Sequence, residues 1–202
     1  MNRTSLSTSS ALLLVTVLLS STSFADDNHS AVIPWEADKP LCVAWEADKR
    51  FMLVSDERPV GIACAGDLTI ERESEKARCV VTVPIHRFRS EEKGRDDAVR
   101  EVLSGNGAKT VQFKSDELSP AVWKELISQQ SGKLRGSLII ANKRTPVTLE
   151  FRQHGSHFIG EVRTSFSELK LEAPSVGWGS IALVRDPLIL HFKFVRDLLP
   201  SF

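Results

Sequence analysis

Five histidines, three cysteines and one pair of adjacent aspartates are the side chains of this 202-residue sequence from which reactive chemistry could be assembled. His29, His86, His154, His157 and His191 show no spacing that would set a metal pair on one face of a helix. His154 and His157 flank Gly155-Ser156 in a predicted hairpin turn, and two turn histidines without a third partner make a weak zinc site. Asp96 and Asp97 are neighbours on a predicted helix, so they point in different directions and do not converge as a general acid and base must. Acids near a helix start are favourable through the helix dipole, which accounts for them without catalysis. Gly105-Asn106-Gly107 follows a helix, whereas a phosphate cradle precedes one. There is no Gly-x-Ser-x-Gly elbow, and no nucleophile can be paired with a base. The sequence therefore names no catalytic residue, metal or cofactor. Cys42, Cys64 and Cys79 include no Cys-x-x-Cys pair; they allow three single disulfides, each leaving one thiol, or simply buried structural thiols.

Charge excludes another class. Lysine plus arginine equals aspartate plus glutamate at 26 each, which leaves no excess of positive charge to neutralise phosphates, so nucleic acid is not expected as a partner. Residues 1–25 read as a cleavable signal peptide: Arg3, the short apolar run Ala11 to Leu19, then small residues ending at Ala25. That run is well below the roughly 18 residues a membrane-spanning helix needs, and no later segment is longer. Residues 26–41 are expected to be an irregular mature N-terminus and 42–202 one domain, exported most simply to a bacterial periplasm. The pentapeptide Trp-Glu-Ala-Asp-Lys occurs at Trp35 to Lys39 and again at Trp45 to Lys49, the second copy leading into a strand. Two copies do not make a repeat architecture.

Beyond Val43 the dominant pattern is alternation with period two, the signature of strands with one buried face. Ile62, Cys64, Leu68 and Ile70 are read as pointing one way, and Cys79, Val81, Val83 and Ile85 follow after a hairpin turn. Val111 and Phe113, then Leu134, Leu138 and Ile140, then Val147, Leu149 and Phe151 continue the pattern. Phe158, Val162 and Phe166, then Ile181 and Leu183, then Leu188, Leu190, Phe192 and Phe194 complete it. These make about eight strands, predicting an all-β fold with two short helices, an antiparallel eight-stranded β-barrel. One helix is predicted over Asp96 to Leu103, with Ala98, Val102 and Leu103 on its less polar side. The other starts at Ser119-Pro120, carries Val122, Trp123, Leu126 and Ile127 as a stripe, and stops by Gly132.

An eight-stranded barrel is just wide enough to fill itself with side chains or to enclose one ligand. The predicted interior lining is Phe113, Leu138, Ile140, Leu149, Phe151, Phe158, Val162, Phe166, Leu190, Phe192 and Phe194. Periodicity does not separate a packed core from a slot for an apolar chain.

The order of landmarks from Lys93 onward resembles the YceI-like family. Arg95-Asp96 and Arg100 fit its charged stretch, Phe113 its next strand, and Gly136, Leu138, Thr145, Pro146, Val147 and Leu149 its hairpin. The resemblance spans roughly Phe51 to Val195. It departs where Asp97-Ala98 follows Arg-Asp, where no proline precedes Phe113, where Ala141 to Arg144 replace a hairpin glycine, and in the helix after Pro120. The resemblance implies a lipocalin-like periplasmic barrel whose interior binds a polyisoprenoid or related long-chain amphiphile, isoprenoid, quinone-like or fatty. The alternative is a non-enzymatic interaction or stress protein with a filled barrel and a protein partner, docked through the second helix and Trp123; the sequence leaves a homodimer open.

Overall fold

The protein is described from a computed structural model over residues 32–51, 55–174 and 182–199. The predicted signal peptide, residues 26–31 and Ile181 lie outside the described residues. The elements run β1 (Leu41–Phe51), β2 (Ser55–Glu57), β3 (Val60–Ala63), β4 (Asp67–Glu73), β5 (Lys76–Pro84), α1 (Lys93–Leu103), β6 (Thr110–Ser115), α2 (Pro120–Ser128), β7 (Ser131–Ile140), β8 (Lys143–His154), β9 (His157–Ser165) and β10 (Ala182–Val195). All strand pairings are antiparallel, in the order β2-β1-β10-β9-β8-β7-β6-β5-β4, with β3 also on β1.

Alternation sends one face of each strand inward. Val111 and Phe113, Leu134, Leu138 and Ile140, Leu149 and Phe151, Phe158 and Val162, and Leu188 through Phe194 at every second position are all buried in one continuous core. Two-residue turns fix the registers: Ser74-Glu75, Ala141-Asn142 and Gly155-Ser156. Ala141 and Asn142 both have positive φ, 49° and 61°, as a type I′ turn requires. His154 and His157 face each other across the last of these turns, as predicted.

The chain between β1 and β5 brings the two ends of the sheet together. β3 pairs with β1 from Val43↔Ala63 to Glu46↔Val60, and on its other side Ile62 bridges to Arg89, just beyond β5. β4, three residues later, pairs with β5 along its whole length. The same segment therefore lies against both ends of the sheet. A Cys42–Cys64 disulfide joins β1 to the β3–β4 connection at this seam, and Cys79 remains a buried free thiol.

Several sequence expectations are corrected here. Among the described residues the sheet has ten strands where eight were expected: β1 and β2 were not counted, and one predicted strand is divided into β3 and β4. Ile62 does not share a face with Leu68 and Ile70: Gly61 and Ala63 are the buried residues of β3, and the connection through Cys64 to Gly66 shifts the phase by one before β4. The predicted strands on either side of Asp186-Pro187 are one strand, β10. It passes Pro187 at a bulge, where β1 advances from Ala47 to Lys49 while β10 advances from Leu188 back to Val184, so the missing N–H of proline breaks no regular ladder. Leu183 is exposed and Val184 turns inward instead. The second Trp-Glu-Ala-Asp-Lys copy lies inside β1 rather than ahead of it, and Gly132 is part of β7 rather than a helix stop.

Closing a loop with a sequence separation of 22 residues removes unfolded-chain entropy. Replacing Cys42 and Cys64 together by alanine is expected to lower stability by about 3 kcal/mol, read as a lower urea midpoint; an unchanged midpoint would show that the ladder alone holds the seam.

Candidate functional site

The barrel has two differently built ends. At one, α1 lies with Ala98, Val99, Val102 and Leu103 over a cavity of about 80 Å³. Its wall is aliphatic and aromatic: Val43, Trp45 and Ala47 of β1, Val81 and Val83 of β5, Val111 and Phe113 of β6, Leu138 and Ile140 of β7, and Val184, Leu188, Leu190 and Phe192 of β10. Phe88, Phe166, Leu171 and Pro174 close in from the connecting segments. Polar side chains occur only at the rim, where Lys49, Glu92 and Arg95 stand beside Pro59. These rim charges are mutually satisfied: Arg95 donates to Glu92 at 2.7 Å, and Lys49 lies 3.5 Å from Glu57.

At the other end α2 forms a plug. Ser119 caps it by accepting from the Val122 N–H, and Pro120 opens its first turn. Trp123 is 1% exposed and donates its indole N–H to the Ala77 carbonyl at 2.8 Å. Ala77 in turn exchanges backbone hydrogen bonds with Leu118, just ahead of the helix. Trp123 is thus part of the interior and not the docking residue that the alternative reading required; the wet end of its ring finds its partner inside the fold. With Leu126 and Ile127 it covers a second space of about 30 Å³, lined by Cys79, Leu134, Leu149, Phe151, Phe158 and Phe194 among others. The rings there are in contact: Phe151 meets Phe158 edge-on at 5.5 Å, and Phe158 stacks on Phe194 at 5.6 Å.

The predicted lining residues are therefore divided between two compartments. Leu138, Ile140, Phe166 and Leu190 face the first, Leu149, Phe151, Phe158 and Phe194 the second, and Phe113 and Phe192 both. Val162 is fully buried in the core but faces neither. Alternation identified the inward residues; it carried no signal for the rim, because Lys49, Glu92 and Arg95 come from a strand end and a helix start. Phe88, Leu171 and Pro174 were missed because they lie in connections, and Trp45 because its pentapeptide reads as leading into a strand rather than lying within β1.

The charged motif positions α1. Asp96 is buried, accepts from the Ser90 N–H at 2.6 Å and from the Ser90 hydroxyl at 2.7 Å, and lies 3.7 Å from Arg100. It ties the helix to the segment entering it, a role more specific than the dipole effect expected from sequence. Asp97 points away and pairs with Arg100 at 2.7 Å. Asn106 donates to the Ala141 carbonyl and Asn142 donates back to the Asn106 carbonyl, which anchors the end of α1 to the β7–β8 turn and gives the Gly-Asn-Gly stretch its place. Gly136 is buried beneath Phe113: a Cβ there would stand 2.8 Å from the ring and collide with the Lys114 carbonyl. Thr145 and Pro146 lie on the part of β8 that pairs with β7 alone, so Pro146 leaves no ladder partner unmet on the β9 side. On the outer face, His191 and Glu46 form a buried pair at 2.9 Å, with Arg58 3.7 Å from Glu46.

Burial pushes the Cys79 thiol up to about 12 from its ordinary 9.0, with the Ser115 hydroxyl acting weakly against it. A raised acid favours the folded state while it stays protonated, so this contribution is present below about pH 9 and is lost as the pH rises through 12. Iodoacetamide at pH 8 is expected to leave Cys79 unmodified in the native protein and to add one adduct after denaturation, counted by mass spectrometry, and Cys79→Ala should flatten the loss of stability above pH 9.

The family model described as YceI-like domain matches residues 49–195. Among solved structures, BcnA of Burkholderia cenocepacia is 16% identical with a TM-score of 0.50, over 75% of this chain and 94% of that one. A polyisoprenoid binding domain from Saccharophagus degradans, implicated in plant cell wall breakdown, is 9% identical with a TM-score of 0.47, over 77% and 96%. The YCEI protein of Campylobacter jejuni is 12% identical with a TM-score of 0.42, over 80% and 92%. No curated protein matches the chain. With the end of β1 and all of β2 through β10 inside the matched range, the chain belongs to the YceI-like family.

Proposed function

We propose that this chain is an exported, non-enzymatic carrier that holds one long-chain amphiphile, isoprenoid, quinone-like or fatty, in the barrel interior. The observation that carries this reading is the first cavity: its wall is apolar throughout, it is roofed by a single helix, and its polar residues are confined to the rim. Apart from the indole N–H of Trp45, which is buried without a partner among the described residues, such a wall offers no hydrogen bond, so a guest gains there chiefly by burying hydrocarbon, at about 0.8 kcal/mol per methylene. Family membership supports the ligand class through the resemblance described above, and the leading 25 residues and the Cys42–Cys64 disulfide support export to an oxidising compartment. At about 80 Å³ the space is roughly half that of an engineered cavity that admits benzene (~150 Å³), so a chain enters by spreading the wall. The half-buried α1 is the element free to yield.

That narrowness is also what favours the second reading, a barrel filled by its own side chains that serves a protein partner. The two part on one measurement. Protein purified from its native compartment without heating should release about one equivalent of a long-chain lipid on extraction, and Ala98→Trp, which fills the space under α1, should lower that occupancy at least tenfold with the melting temperature little changed. Lipid-free protein, or occupancy indifferent to Ala98→Trp, would replace the carrier by the filled barrel.

A further inference from the structure

Three residues line both cavities: Val81, Phe113 and Phe192. Phe113 is on β6 and Phe192 on β10, with β7, β8 and β9 between them in the sheet, so the two rings reach toward each other across the bore. Their centroids are 6.0 Å apart and their planes inclined by 59°. Phe113 sits on Gly136, where any side chain would displace the ring. Phe192 pairs with Gly160 of β9, where a Cβ would press on Leu149 and Phe151.

Resting on the carrier reading, we propose that the Phe113–Phe192 pair is a depth stop that sets how long a hydrocarbon chain this barrel takes, and that the space beneath α2 is a second chain-binding compartment closed off by it. A chain admitted under α1 ends at the rings. With one ring removed, the two compartments join into a single bore running from the Arg95 rim to Trp123.

The test uses the mature protein and saturated fatty acids from decanoate to icosanoate as probes, with affinities from direct titration. In the wild type, affinity should rise about fourfold per methylene and then level off at the stop. In Phe192→Ala the rise should continue, raising the ratio of icosanoate to decanoate affinity at least tenfold over that of the wild type, and adding Ile127→Phe to fill the far compartment should cancel the gain. Should Phe192→Ala fail to fold, Phe192→Leu carries the same expectation on a smaller scale. A plateau at one length in all variants, a wild-type affinity still rising at icosanoate, or a gain that survives Ile127→Phe would overturn the depth stop alone. Absence of binding at every length in the wild type would remove the carrier reading and the stop with it.

Discussion

The rest of this structure depends on the seam where β3 is held between β1 and Arg89 and the Cys42–Cys64 bond crosses it. An antiparallel sheet of this length with one apolar face has to roll up, because left open it would expose that face and two unpaired edges. The chain solves both problems with a single bent segment. Its first half lies on β1, its second on β5, and the corner between them is the Cys64 to Gly66 stretch. Gly66 fits that corner tightly: a Cβ would stand 2.9 Å from the Thr82 carbonyl. With both ends of the sheet brought to this segment, the inward positions share one core, and the spaces left within it depend on side-chain size and on what covers each end.

Those variables are set differently at the two ends. The α2 end is built from rings in contact and sealed by a helix whose tryptophan hydrogen-bonds to the barrel wall, so opening it would break a buried hydrogen bond as well as aromatic packing. The α1 end mixes aliphatic side chains with the rings of Trp45, Phe88, Phe113, Phe166 and Phe192, and its helix is held from the side, through Asp96 to Ser90 and through Asn106 to the β7–β8 turn, rather than by a plug in the bore. The larger space, about 80 Å³ against about 30 Å³, therefore lies beneath the helix that is held from its side, and the rim charges lie at the same end. On the carrier reading a linear amphiphile would be held tail-first, with its head level with Lys49, Glu92 and Arg95.

How far the sequence showed this follows from what alternation can report. From Val111 to Phe166 and from Leu188 to Phe194 the inward set was legible, because each strand there is regular and period two has no competing explanation. Where a bulge or corner changes the phase, the rule fails silently: it kept Ile62 in step with Leu68 across a corner, and put Leu183 inward by treating Pro187 as a strand break. The helices were placed to within a few residues by Ser119-Pro120 and by the less polar face of α1, but the burial of Trp123 depends on Ala77, 46 positions away, and no local pattern encodes that contact. Asp96 misled for a related reason. Its charge suits a helix start, and only the fold shows it turned toward Ser90.

The Phe113–Phe192 contact joins these points. Both rings were visible as inward residues, yet their meeting is a property of closure, since β6 and β10 are distant in sequence and separated in the sheet by three strands. Gly136 makes room for it beneath the Phe113 ring, so the position of the partition is set by where a strand lacks a side chain as well as by where the rings stand. A barrel filled solely for stability would gain from aromatic packing along its whole length. Here the contacts of Phe151, Phe158 and Phe194 fill the α2 side of the pair and the larger space lies on the α1 side beneath a charged rim, an arrangement that divides the interior into two unequal compartments.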